Sequence, residues 1–295
     1  MLVNMNDVLI PARRGKYAVG LFNTVNLELA RGVIAAAEEL NSPVIIGTAE
    51  ILLPFGPLRE LADLLVPMAE RASVPVVVHL DHGLKEETCK AALEYGFSSV
   101  MYDCSTASYE ENVERVAAMS ALAHKYGATI EAELGHVGDN EGSAEAVEGA
   151  EIKVSEKQLD PTAFYTDPAM AKDFIEKTKA DALAIAVGTA HGAYKFPPKL
   201  DFDRITEIAG VIDTPLVLHG GSGLTDRDFK LAIERGINKI NIFTDINNAG
   251  AKAAALAYSD GKGLTDTIPS TIEAVKKSVM EKMVLFGSVD KNKKC

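Results

Sequence analysis

The 295-residue sequence predicts an α/β fold, a single (β/α)8 TIM barrel with an additional C-terminal helix. Three observations carry that expectation. Eight short apolar runs of strand length recur along the chain. Amphipathic stretches of helical period separate most of them. Polar residues and glycines gather after six consecutive runs, at the rim where barrels of this kind place their chemistry. The length suits one large barrel or two ordinary domains. No Gly/Ser-rich linker or composition shift divides it, so residues 1–295 read as one domain. A doubly wound open sheet is the structural alternative.

The first strand spans Tyr17–Phe22 and leads into a helix at Leu27–Leu40. The second, Val44–Gly47, is followed by a helix at Leu58–Arg71, and the third, Val76–Leu80, by one at Lys85–Tyr95. The fourth, Ser99–Asp103, precedes Tyr109–Tyr126. After the fifth strand, Thr129–Leu134, comes the longest non-repetitive piece, His136–Asp167, and then a helix at Pro168–Thr178. A connection so long is either a functional lid or a surface excursion, and residues 136–167 are read as a mobile active-site loop. The sixth strand, Leu183–Val187, is followed by Asp203–Ala209, and the seventh, Leu216–His219, by Asp226–Arg235. The eighth, Lys239–Phe243, leads to helices at Asp245–Tyr258 and Thr271–Phe286. Pro43, Pro75 and Pro215 stand just before strands, where proline closes the preceding helix. In the last helix Val275, Val279, Met283 and Leu285 form an apolar stripe, suited to the barrel more than to a neighbour.

Composition excludes some classes. The formal net charge of −12 argues against a nucleic-acid partner, which needs a basic surface. No apolar run is long enough to cross a bilayer, and the N-terminus lacks the apolar core of a signal peptide. Three cysteines without metal-site spacing fit a reducing compartment. A cytoplasmic protein is the expectation.

The rim residues are specific. The third strand ends in Asp81-His82-Gly83, and the fourth in Asp103-Cys104-Ser105. The fifth carries Glu131 and Glu133, and ends in Gly135-His136. The sixth runs into Gly188-Thr189-Ala190-His191-Gly192, the seventh into His219-Gly220-Gly221-Ser222-Gly223, and the eighth brings Asn241, Thr244 and Asp245. Of six histidines, His82, His191 and His219 lie at the ends of different strands. Three imidazoles around an open position suit catalytic Zn²⁺, but position alone leaves open whether they share a metal or are separate rim histidines. "HGGSG" and "NIFTD" occupy the usual phosphate corner, where glycines admit backbone N–H groups to phosphate oxygens. His79 reads as a packed histidine below the rim, two residues from Asp81 and placed to support it from below. No strand interior offers a lysine for Schiff-base chemistry, because Lys239 is expected at the start of its strand.

The motifs "YAVGLFNTVNLE", "HLDHG", "EAELGHVG", "VGTAHGAYKF", "LVLHGGSGL" and "KINIFTD", in this order over nearly the full length, resemble the class II, metal-dependent ketose-bisphosphate aldolases. The resemblance implies reversible aldol cleavage of a ketose (bis)phosphate to dihydroxyacetone phosphate and an aldehyde through a zinc-stabilised enediolate. It implies His82, His191 and His219 as ligands of one Zn²⁺ per subunit, with room for a monovalent cation, and Asp103 and Glu133 near an alternative metal position. Asp81 matches the acid that handles the aldehyde oxygen, and Glu141 the loop carboxylate that exchanges the ketone's carbon proton. Gly192, Lys195, Gly220, Ser222, Asn241 and Thr244 match positions around dihydroxyacetone phosphate, and Asn23 the substrate side of the site. A homodimer or homotetramer is implied. His136, at the loop hinge, is a candidate acceptor contact or a solvent-facing residue.

Two departures fall on the acceptor half. Many relatives follow the second strand with Gln-x-Ser, where this chain has Gly47 and Ala49. Many carry an Asp-Pro-Arg segment before the last helix, where this chain reads "GLTDTIPSTIEAV", without arginine. The expectation is a standard donor half and an aldehyde that is not simply glyceraldehyde 3-phosphate. A metal-dependent sugar-phosphate epimerase or isomerase would share barrel and metal without an acceptor pocket. A non-catalytic sugar-phosphate-binding barrel would need neither Asp81 nor Glu141.

Overall fold

A computed structural model describes residues 1–137, 164–190 and 198–292. Eight parallel strands close into a barrel in sequence order: β1 (Val19–Asn23), β2 (Val44–Ala49), β3 (Val76–Gly83), β4 (Ser99–Tyr102), β5 (Thr129–Leu134), β6 (Ala182–Ile185), β7 (Leu216–Leu218) and β8 (Ile237–Ile242). Closure comes from β1 pairing with β8, Leu21 opposite Asn241. The helices are α1 (Met5–Gly15), α2 (Leu27–Glu39), α3 (Leu58–Arg71), α4 (Glu86–Glu94), α5 (Tyr109–Lys125), α6 (Pro168–Thr178), α7 (Phe202–Val211), α8 (Asp226–Arg235), α9 (Thr244–Ser259) and α10 (Leu264–Phe286). Among the described residues, no helix is long and apolar enough to cross a membrane.

Strand alternation sorts the two layers. Phe22, Ile46, Val78, Leu80, Val100, Ile130 and Ile240 pack with the helices in the outer core. The inward positions fill the barrel floor with Val19, Leu21, Ile45, Val77, Ala182, Ala184 and Val217. Above that floor the interior turns polar: His79, Asp81, Ser99, Glu131, Glu133 and Lys239 are all buried. The alternation thus stacks an apolar plug beneath a polar chamber.

Three expectations are corrected. The first expected element began at Tyr17, but α1 precedes it and packs Met5, Val8, Leu9 and Ala12 against the barrel floor. Asn4 caps this helix, accepting from the Asp7 backbone while Asp7 accepts from Asn4 N–H. The last helix begins at Leu264 rather than Thr271 and runs through Pro269. The third concerns lysine: β8 starts at Ile237, two residues earlier than expected, so Lys239 lies inside the barrel, fully buried. The stripe of the last helix packs as expected, with Val275, Val279 and Met283 in the outer core.

Candidate active site and metal centre

The site grows from β3. His79 and Asp81 project inward by strand period, and the next residue should turn outward. Pairing with β4 shifts register between Leu80 and Gly83, and His82 has φ 43, the left-handed region rarely used by a residue with a Cβ. The shift brings its ring against His219, with centroids 4.4 Å apart and planes at 72°. A conformation that costs of order 1–3 kcal/mol is held by packing and by a hydrogen bond of 2.8 Å between His82 Nδ1 and Asp103 Oδ2. Asp103 also accepts from the Ser105 backbone N–H at 3.0 Å.

Asp81 is held by two amides. Asn23 Nδ2 donates to its Oδ2 at 2.8 Å, and Asn241 Nδ2 to its Oδ1 at 2.9 Å. Burial opposes its ionisation, but the neighbouring His82 and Lys239 charges hold its carboxyl well below the usual carboxylate range. His79 makes no hydrogen bond to it. That ring is buried, its Nδ1 2.9 Å from Ser99 Oγ, and burial with the Lys239 charge lowers it to about 3, leaving it neutral.

From Asp81 a buried chain of polar contacts crosses the barrel. Asn241 Oδ1 accepts from Lys239 Nζ at 2.7 Å, and Lys239 lies 2.8 Å from Glu131 Oε2. Glu131 Oε1 in turn lies 2.9 Å from His219 Nε2. Burial raises Glu131, but Lys239 and the His219 hydrogen bond bring it down to about 2, so it is a carboxylate and accepts from His219 Nε2–H. Burial and the His82 charge lower His219, leaving a neutral ring whose Nδ1 faces Glu133 Oε2 at 3.4 Å. Glu131 and Lys239 were missed as site residues. Their signal was present in "EAE", two acids at strand period in an apolar run, and in a lysine two residues before Asn241.

The donor set could hold a cation. Asp81, His82 and His219 offer ligand atoms within 4.8 Å of one another, and so do His82, Asp103 and Glu133. Burial and the neighbouring Asp103 charge push Glu133 up to about 8. Burial works against charging His82, yet Asp81 and Asp103 raise it to about 10. The carboxylates therefore make a well for positive charge in a water-poor chamber, which a cation on two neutral imidazoles would fill. A third group, His79, Asp81 and Glu131, lies among the same buried residues, where Lys239 already supplies the positive charge to Glu131. His191, Gly192, Lys195 and Glu141, with most of the 136–167 loop, lie outside the described residues.

Above the histidines opens a cavity of about 370 Å³, within the range of small-ligand sites. One side is lined by Gly220, Gly221, Ser222, Asn241 and Thr244. Here α9 begins without a side-chain cap on its N-terminus, a place for an anion. Gly220 has φ 66, and a Cβ there would stand 2.3 Å from the Ala190 carbonyl oxygen, so only glycine fits. The other side is lined by Ala49, Ile51, Leu52 and Leu84, with Thr106, His136 and Val137 closing the cavity. His136 is exposed, its Nδ1 3.3 Å from Ser105 Oγ.

A closed parallel barrel with a buried histidine–carboxylate cluster under its cavity has the architecture of a metal-assisted barrel enzyme. Residues 3–291 match the family described as fructose-bisphosphate aldolase class-II, and the chain belongs to it. It is 38% identical over 303 residues to a fructose-bisphosphate aldolase of Staphylococcus epidermidis, covering 99% of both chains. It is 38% identical over 296 residues to that of Geobacillus stearothermophilus, covering 98% of both. The crystal structure of the YdjI aldolase from Escherichia coli K12 superposes with TM-score 0.87 at 34% identity, over 99% of this chain and 100% of that one. The protein is thus a class II aldolase, a carbon–carbon lyase that uses a divalent metal ion.

Proposed function

We propose that the protein cleaves a ketose (bis)phosphate reversibly into dihydroxyacetone phosphate and an aldehyde, with Zn²⁺ as its ion. The observation that carries this reading is the Asp81 carboxyl group, fixed by Asn23 and Asn241 beside the His82–His219 pair. His82, His219 and, from the resemblance, His191 would hold the ion, with Asp103 and Glu133 near an alternative position. A divalent cation bound there supplies positive charge to the oxygens of a hydroxyketone, where a carbanion next to the ketone would otherwise be costly.

The chain's own groups carry the protons. Asp81, at the rigid end of β3, takes the proton of the ketose hydroxyl in cleavage and returns one to the aldehyde oxygen in condensation. Glu141, from the loop, exchanges the proton on the donor carbon. Gly220, Ser222 and Thr244, with the uncapped start of α9, support the donor phosphate, joined by Gly192 and Lys195. Asn23 and Asn241 orient Asp81. Exposed Leu256, Tyr258 and Leu264, on α9 and the start of α10, favour a homodimer or homotetramer. A cytoplasmic location accords with the buried free thiols of Cys89 and Cys104.

The test measures release of dihydroxyacetone phosphate from a panel of ketose 1-phosphates, together with deuterium uptake from solvent into dihydroxyacetone phosphate. Both should need a divalent ion and stop on chelation. Isomerised or epimerised product with no carbon–carbon cleavage would replace the aldolase reading with the epimerase one.

A further inference from the structure

One buried ammonium stands between a candidate metal ligand and the acid. Lys239 lies on β8 two residues before Asn241, and strand period puts both on one face. Asn241 lines the cavity, whereas Lys239 and Glu131 are not among its lining residues. Lys239 is fully buried beneath it and acts through its neighbours. Its three N–H donors have three oxygens in reach: Glu131 Oε2 at 2.8 Å, Glu131 Oε1 at 3.1 Å and Asn241 Oδ1 at 2.7 Å. The ammonium and the Glu131 carboxylate cancel, so the pair adds no net charge to the chamber.

Two orientations follow from a group that only donates. Asn241 must turn its carbonyl oxygen to Lys239, which leaves Nδ2 to donate to Asp81 Oδ1 at 2.9 Å. The reverse amide would set N–H against N–H at one end and oxygen against carboxylate at the other. Glu131 is limited to accepting, because a carboxylate paired with an ammonium carries no hydrogen to donate. Its Oε1 lies 2.9 Å from His219 Nε2, so Nε2 carries a proton and Nδ1 is the nitrogen the ring offers to a cation. His82 is held in the opposite sense, by Asp103 at Nδ1, 2.8 Å away. Lys239, Glu131 and His219 are all fully buried, so bulk water does not compete for these bonds.

We propose that Lys239 is a positioning residue for both halves of the site. Through Glu131 it fixes the tautomer in which His219 presents Nδ1 to the metal ion, and through Asn241 it fixes the donor that holds Asp81. The Asp81 half rests on the aldolase reading above. The metal half stands on the tautomer and on metal affinity.

The test uses the full-length protein with isotope-labelled histidine nitrogens, first freed of metal by chelation. Ring-nitrogen chemical shifts report the tautomer, and the His219 signals are those lost in His219→Ala. Wild-type His219 should carry its proton on Nε2, and a proton on Nδ1 overturns the metal half without any variant. Glu131→Gln keeps the shape of the side chain. Its amide oxygen must face Lys239, so its NH2 faces His219 and the ring proton should move to Nδ1. Zinc affinity, measured by competition with a chelator, should then fall by about 10–100-fold. Lys239→Met should weaken zinc on the same scale, and at saturating zinc its kcat for ketose phosphate cleavage should fall at least about tenfold with KM little changed. An unmoved tautomer in Glu131→Gln, or zinc affinity within about threefold of wild type in both variants while circular dichroism shows them folded, overturns the metal half. An unchanged kcat in Lys239→Met overturns the Asp81 half. Wild-type protein with the expected tautomer that binds zinc but cleaves no ketose phosphate overturns the aldolase reading and the Asp81 half with it, and leaves the metal half standing.

Discussion

Replacing Lys239 with Met tests the buried polar chamber. The ammonium is fully buried, 2.8 Å from Glu131 and 2.7 Å from Asn241. Methionine keeps most of the volume and removes the charge. Glu131, lowered from the usual 4.5 to about 2, owes this first to Lys239 acting against burial. A difference of that size corresponds to roughly 3 kcal/mol favouring the ionised form. Removing one partner of a buried pair costs about 3–5 kcal/mol, so the two figures agree in scale. At a urea slope of about 3 kcal/mol/M, the midpoint should fall by roughly 1–1.7 M at pH 7, read by circular dichroism on the chelated protein. The folded-state value of Glu131 is depressed, so its contribution is present above about 4.5 and is lost as pH falls toward 2. The difference between variant and wild type should therefore be full at neutral pH and narrow below pH 4.5. Adding Glu131→Gln should recover more than about 1 kcal/mol, because the stranded carboxylate is gone. A single variant that loses less than about 1 kcal/mol, or a double variant no more stable than the single one, would refute the reasoning.

His219→Ala should abolish turnover and reduce bound zinc, measured by elemental analysis of the dialysed protein; full occupancy would exclude His219 as a ligand. Asp81→Asn should lower cleavage by about 10²–10⁴-fold with metal content kept, the usual scale for a positioned acid–base group. An unchanged rate would move that role to another residue. Glu141→Gln should slow deuterium uptake into dihydroxyacetone phosphate while leaving metal content near normal, and unchanged uptake would point to another base. Prolonged chelation should remove activity and Zn²⁺ should restore it, so activity that survives chelation contradicts the metal requirement.

The barrel was legible because its signals are local. Apolar runs at strand length, prolines before strands and amphipathic spacers need no knowledge of contacts. The rim residues were legible because strand ends share one face of the barrel, so "DHG" after β3 and "HGGSG" after β7 converge by topology. The N-terminal plug was not placed. Met5, Val8, Leu9 and Ala12 have helical spacing, but Pro11 interrupts the pattern, and what they cover is a barrel floor assembled from distant strands. The interior lysine was misplaced because strand boundaries are the least certain part of a periodicity argument, and two residues were enough to move Lys239 from the base to the chamber.

By itself the sequence determined the alternation of layers, the family resemblance and the residue types available for metal and acid–base chemistry. These follow from periodicity and from motifs contiguous in the chain. Tertiary structure alone decided which polar groups meet. It turned His82 inward through a register shift, joined Asp81 to His219 through Asn241, Lys239 and Glu131, and set Glu50 against the start of α4. Apart from Lys239 and Asn241, near neighbours on β8, the partners in those contacts come from different strands or loops. The strength of each contact depends on distance and burial, quantities that a linear order of residues does not contain.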